Sequence, residues 1–401
     1  MKKELRMIIA GLALALTLPT ISYSATLSVP SAFPKIQDAI NVAVTGDVVE
    51  VDDGVYSGPG NRNISTLGKA ITVRSKNGPA NCVIDPQSLG AGFYIDKRET
   101  RSTVIKGFTI KNAYTDFGGA FYLGWSSPTI IGNILTGNHQ SGGGFGAAIG
   151  GNGSSPWIEG NLITDNSADT QFLSGAVSFV NMSSPVIINN VIANNSCRGI
   201  NMTLPEGTMP FVKFNTIVNN TTGVRINGQI DLSKQVYDAN ILAFNDVGLE
   251  IEFYRGLNPQ WTNNLTFNDV NYVGIASQDN IGGNFTADPL FVNSTAGDYH
   301  VMSTSPAIGV VVGNFVSYDF DGTARGVSGV ATIGAYEYVH VPTITVCVKL
   351  RNGVVNRGMM NISAPRKRDI RKIVVLDEND CYQLDTDMKG KFELQLTGKL
   401  Q

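Results

Sequence analysis

Ser126-Ser127-Pro128-Thr129-Ile130-Ile131-Gly132-Asn133-Ile134-Leu135-Thr136-Gly137-Asn138 returns, changed in detail only, as Ser183-Ser184-Pro185-Val186-Ile187-Ile188-Asn189-Asn190-Val191-Ile192-Ala193-Asn194-Asn195. Aligned on its first Asn, the unit recurs at Gly107, Asn133, Asn161, Asn190, Asn215, Asn240 and Asn264, with spacings of 26, 28, 29, 25, 25 and 24 residues. Five residues on stands a second polar column of Asn112, Asn138, Asn166, Asn195, Asn220, Asn245 and Asp269. Asn tolerates left-handed backbone angles, and its amide can hydrogen-bond along a stack, so each unit reads strand, Asn corner, strand. After a variable loop comes a third strand opened by small residues, as in Gly119-Ala120-Phe121, Gly175-Ala176-Val177 and Gly199-Ile200.

Three short strands in 24 to 29 residues leave no room for crossover helices. The chain must therefore wind as a solenoid of parallel sheets, burying its apolar faces by stacking coil on coil. The expected fold is all-β: a right-handed parallel β-helix with three strands per coil. Ile130, Ile158, Ile187, Val212, Tyr237 and Trp261 lie three residues before the first Asn and form one expected core column. Helical spacing of Ile36, Ala39, Ile40 and Ala43 predicts a short N-terminal cap over the open sheet ends.

Residues 1–24 read as an export signal: a basic start, the apolar run Met7 to Leu18 and the small-residue exit Ser22-Tyr23-Ser24. The run is short for a membrane span, and no later stretch approaches 18 uncharged apolar residues, so a secreted, periplasmic or cell-surface location is expected. Residues 25–339 carry 16 Lys and Arg against 25 Asp and Glu, whereas 340–401 carry 11 against 7. An acidic rod disfavours nucleic acid and, without a bridging cation, polyuronates; neutral polysaccharide, a cell-surface glycan or a protein receptor are easier partners. Cys82 and Cys197 are about four coils apart and cannot pair, while Cys347 and Cys381 fall together in the tail, where a bridge is compatible with a small β module. Strands there are predicted at 344–350, 373–377, 381–385 and 392–397, and the basic run Arg366-Lys367-Arg368 with Arg371-Lys372 reads as a solvated loop.

Ile36-Gln37-Asp38-Ala39-Ile40, Gly46-Asp47, Gly54-Val55-Tyr56-Ser57-Gly58 and Ile71-Thr72-Val73-Arg74-Ser75, followed by the Ser-Ser-Pro and Asn-turn repeats, resemble bacterial pectate-lyase-like β-helix proteins. Asp288-Pro289-Leu290-Phe291, Asp298-Tyr299-His300-Val301, Asp319-Phe320-Asp321-Gly322 and Ile333-Gly334-Ala335-Tyr336-Glu337-Tyr338 are similar to a choice-of-anchor Q module. That resemblance implies a β-helix with its cap over 25–285, a closing module over 286–339 and a separate β module over 340–401. The polygalacturonase, pectin methylesterase and pectate-lyase motifs known in related folds are not found. The glycine-led strands also resemble repeats of chlamydial polymorphic membrane proteins, which implies an adhesin-like alternative.

Chemistry is expected where the repeat breaks its own rule. On the third strand, alternation puts Tyr122, Gly150, Ser178, Asn201, Arg225 and Glu250 outward, followed two residues on by Asn152, Thr203, Asn227 and Glu252. Arg225 as base, with Glu250 and Glu252 as calcium ligands, would suit a polysaccharide lyase acting on a uronate polymer; an exposed Arg225–Glu250 ion pair without chemistry is the plainer reading. Trp157 and Phe211, outward on the strand before the Asn corner, suit stacking on sugar rings, with Asn201 and Asn227 as polar contacts. Asp319 and Asp321, alternating before Gly322, are the candidate calcium ligands, as a fragment of a binding loop.

Overall fold

The computed structural model describes residues 24–170, 173–228, 231–252, 256–313 and 316–339, together with four strands further on. Most of the leader read from the sequence lies outside these residues. Two units are present, one ending at Glu337 and one beginning at Tyr338.

The first unit is a right-handed parallel β-helix. Its first sheet has ten strands, from Thr26–Val29 to Gln260–Thr262; the second has ten, from Gly54–Ser57 to Phe285–Thr286; the third has eight, from Phe93–Ile95 to Val270–Val273. Between the second and third sheets, three coils add a short ladder of Tyr114–Thr115, His139–Gln140 and Ser167–Ala168. Neighbouring coils pair in register, so equivalent residues stack: Ile105, Ile130, Ile158, Ile187, Val212, Tyr237 and Trp261 form one column, each at most 3 % exposed. Each such side chain contributes roughly 1.5–3 kcal/mol by leaving water. Helix Ile36–Val42 buries Ile36, Ala39 and Ile40 against the first coil, as its spacing predicts.

Both Asn columns are ladders. Asn133, Asn161, Asn190, Asn215, Asn240, Asn264 and Asn284 run down one corner, and after the first member each side-chain Oδ1 accepts the backbone N–H and the Nδ2 of the Asn one coil earlier. Asn138, Asn166, Asn195, Asn220, Asn245 and Asn268 do the same at the next corner, where Asn268 in turn donates its N–H and Nδ2 to Asn271 three residues on. Three expected members are displaced by one residue: Phe108 and Ala113 offer the N–H at the start of each ladder, not Gly107 or Asn112, and Asn268 replaces Asp269. An ionised carboxylate has no N–H to pass the ladder on. The left-handed backbone also belongs to the residue before each Asn of the first ladder, with φ +63° at Gly132, +52° at Asn189 and +55° at Phe214. The small residue opening each third-sheet strand is steric: a Cβ on Gly119 would meet Ala147 O at 2.1 Å.

The segment after Thr286 runs back along the flank of the second sheet. Asn189 Nδ2 donates to Tyr318 O, Asn194 meets Tyr299 Oη, and Ala335 N donates to Thr216 Oγ1. Arg325 fixes this segment: its side chain is fully buried, donates to the carbonyls of Thr332, Gly334 and Ala335 and to Asn189 Oδ1, pairs with Glu337, and lies 4.3 Å over the Phe214 ring. The cover explains why the outward residues Val191, Ala193, Thr216, Val218, Ile241 and Ala243 are buried on this sheet.

In the second unit, Thr343–Cys347 pairs antiparallel with Cys381–Asp385 and Met359–Ser363 with Glu393–Thr397, with Cys347 opposite Cys381 in the register. Met359–Ser363 is a strand the sequence reading missed; the predicted strand 373–377 and the basic run 366–372 lie outside the described residues.

Candidate functional site

The outer surface of the third sheet changes character along the rod. Inward side chains alternate with outward ones on every strand, and the register stacks Tyr94, Tyr122, Gly150, Ser178, Asn201, Arg225, Glu250 and Val273 in one outward column. A parallel column runs Gly124, Asn152, Val180, Thr203, Asn227, Glu252.

At the N-terminal end this surface is aromatic. The Tyr94 and Tyr122 rings lie 4.5 Å apart, Phe117 is 6.2 Å from Tyr122 and 5.2 Å from Phe145, and Tyr94, Phe117 and Trp125 remain 42, 47 and 59 % exposed. Trp125 lies over the next coil, where a Cβ on Gly153 would meet its ring at 2.6 Å. The sequence reading placed Tyr122 outward but missed the group. The signal was present: Ala91-Gly92-Phe93-Tyr94 repeats Gly119-Ala120-Phe121-Tyr122 one coil earlier.

Farther along, the column becomes a hydrogen-bonded chain. Asn201 donates to Leu173 O and Ser178 Oγ, and its Oδ1 accepts from Arg225 Nη1 at 2.8 Å. Arg225 is only 1 % exposed, so the guanidinium anticipated on an exposed sheet is instead buried. Its partner is Glu252, on the diagonal, while Glu250 directly opposite faces Arg198 Nε at 3.5 Å. Arg198, at the mouth of its strand, was not singled out in the sequence. The hydrogen bond from Arg225 holds the Glu252 carboxyl below its ordinary range, and burial pulls the Arg198 guanidinium down. A guanidinium enclosed by Asn201, Thr203 and Glu252 is suited to holding coils together, and is poorly placed to take a proton from substrate. Beside it, Asn181, Thr203, Glu206 and Asn227 line a depression of about 320 Å³.

The other expected residues lie elsewhere. Trp157 is half-buried on the first sheet, its Nε1 donating to Glu159 at 2.7 Å and its ring 5.6 Å under the Arg101 guanidinium. Phe211 lines a groove of about 590 Å³ between the first sheet and Val311–Gly313, whose floor carries the Lys213–Asp238 ion pair at 2.7 Å. Asp319 Oδ1 accepts the N–H groups of Asp321 and Thr323, and its Oδ2 that of Glu337; Asp321 meets His300 Nε2 at 2.8 Å. The Asp319 carboxylate thus serves the local turn while that of Asp321 pairs with His300, and no group of three or more His, Cys, Asp or Glu suited to a metal occurs among the described residues.

Fold and surface together define a class: a right-handed β-helix whose open sheet presents an aromatic and amide-lined face. A family model described as "Right handed beta helix region" matches residues 80–241. No curated protein gives a significant match. Among solved structures the chain is similar to pectate lyase Pel9A, at 13 % identity and TM-score 0.45 over 79 % of this chain and 97 % of that one. It is also similar to the catalytic domain of a GH87 alpha-1,3-glucanase in complex with nigerose (12 %, TM-score 0.26, 63 % of this chain) and to PL6 family alginate lyase AlyGC (12 %, TM-score 0.21, 70 % of this chain). This chain spans 57 % of the length of each of the last two.

Proposed function

We propose that this is an exported polysaccharide-binding β-helix protein that lays a neutral glycan along the outer face of its third sheet. The observation that carries this reading is the Tyr94, Phe117, Tyr122 and Trp125 group, whose rings are held in place by coil-to-coil stacking while three of the four stay at least 42 % exposed. Apolar surface of this kind costs free energy in water, and a soluble protein keeps it where a partner covers it. A pyranose ring suits that cover, because its C–H face shields the aromatic plate while its hydroxyls stay at the rim. Asn152, Asn181 and Asn227 along the same sheet offer both donors and acceptors to those hydroxyls. Residues 1–24 would deliver the chain to the compartment where such polymers lie, and among the described residues no helix is long and apolar enough to cross a membrane.

Affinity electrophoresis of the full chain through gels containing neutral and uronate polysaccharides tests the reading. Retardation by at least one neutral polymer, lost in Tyr122→Ala and Trp125→Ala, is expected. Retardation unaffected by both substitutions would remove the aromatic face from the account.

A further inference from the structure

The short ladder between the second and third sheets carries chemistry that glycan binding does not use. The His139 ring lies between two oxygens, with Nδ1 2.8 Å from Ser167 Oγ and Nε2 2.9 Å from Asp169 Oδ1. His139 and Ser167 are partners in the register, and Asp169 is two residues beyond Ser167 on the same face, so the backbone fixes the order Ser, His, Asp. With the proton on Nε2, His139 accepts from the Ser167 hydroxyl and donates to the Asp169 carboxylate. Tyr114, one coil earlier, stacks on the imidazole at 4.9 Å and 15°, limiting its rotation. The group is open to solvent, His139 being 26 % and Asp169 50 % exposed.

A loop of three glycines adjoins it. Gly142 N donates to Asp169 Oδ2 at 3.4 Å, and Gln140, fully buried, donates to Ser141 O and Gly142 O. Among the described residues, none accepts a hydrogen bond from the N–H of Gly143 or Gly144. Gly144 admits no side chain, since a Cβ there would lie 1.4 Å from Asp116 O.

We propose that Ser167, His139 and Asp169 form a second site, a serine esterase that removes acyl groups from hydroxyls. Ser167 Oγ attacks the acyl carbonyl carbon while its proton passes to His139 Nδ1. The C–O bond to the alcohol then breaks, and that proton leaves with the alcohol oxygen. Water attacks the acyl-serine, giving its proton to His139; the carboxylic acid departs and the Ser167 hydroxyl is restored. Asp169 keeps the imidazole oriented and balances its charge when protonated. The site does not depend on the glycan reading, because small esters and phosphonates need no aromatic face.

The test is labelling of the full chain with a fluorophosphonate probe, the adduct mapped by mass spectrometry, alongside turnover of 4-nitrophenyl acetate. Wild type is expected to carry the adduct on Ser167. Ser167→Ala should abolish it, and His139→Asn should slow both labelling and turnover by about 10³-fold or more, with the far-UV circular dichroism unchanged. An unlabelled wild type, an adduct persisting in Ser167→Ala, or turnover unchanged in His139→Asn overturns the assignment.

Discussion

Replacing Asn190 by Ala removes one rung from the centre of the first Asn ladder. The side chain is fully buried and makes five hydrogen bonds: Nδ2 donates to Ile158 O, Ile188 O and Asn215 Oδ1, and Oδ1 accepts from Asn161 N and Asn161 Nδ2. At a net value of about 0.5–1.5 kcal/mol each they sum to roughly 5 kcal/mol, and the orphaned Asn161 N–H has no water to turn to. The side-chain entropy regained on truncation offsets on the order of 1 kcal/mol. A loss of about 4 kcal/mol is therefore expected, a large fraction of the 5–15 kcal/mol typical of a folded domain. Urea unfolding followed by far-UV circular dichroism should show a much lower midpoint with the slope retained. A loss below about 1 kcal/mol would refute the view that the ladders, and not only the Ile column, hold the coils together.

Arg325→Ala should cost about 3–5 kcal/mol, because it removes the counter-charge of the half-buried Glu337 and the donor to the Gly334 carbonyl, and limited proteolysis should then cut first within 286–339; a resistant variant would contradict the pinning role. Glu99 is 3 % exposed: burial pushes its carboxyl up, but the Gly68 N–H, the Thr66 hydroxyl, its own N–H and the Ser126 hydroxyl reverse this and hold it below the usual range. Its contribution is thus complete above the unfolded value near 4.5 and fades as pH falls through the lower folded value, so thermal melts from pH 6 to 3 should slope less in Glu99→Gln. His300 shows the opposite sign. Partial burial lowers its pKa, yet Asp298 and Asp321 on either side of the ring raise it overall, so its stabilisation is full below 6.5 and is lost as pH rises through the folded value. An NMR titration should place that value above 6.5, and Asp321→Asn should bring it down.

The fold was legible because its signals are periodic. Each coil repeats the same requirements, so Asn133, Ile130 and Gly119 announced a ladder, a core column and a close approach without reference to distant sequence. Errors of one residue arose where the period is irregular, at Gly107, Asn112 and Asp269, because counting cannot separate the left-handed corner from the rung beside it. The candidate site was less legible. Alternation gave the outward direction of Arg225 correctly, but not its burial, since that depends on what lies over the sheet. Diagonal pairing of Arg225 with Glu252, rather than Glu250 opposite, follows from side-chain reach, which spacing does not encode. The contacts that tie 286–339 to the flank span more than a hundred residues and left no local mark. His139, Ser167 and Asp169 come from two coils and meet only once the register is known.

The claim that the third-sheet face binds glycan is tested most directly by calorimetric titration of the full chain with an oligosaccharide of the polymer that retards it best, comparing wild type, Tyr122→Ala and Trp157→Ala. Tyr122→Ala is predicted to raise Kd at least tenfold, about 1.4 kcal/mol, while Trp157→Ala, whose ring lies under Arg101 on another sheet, binds as wild type does. Equal affinity for wild type and Tyr122→Ala would contradict the account.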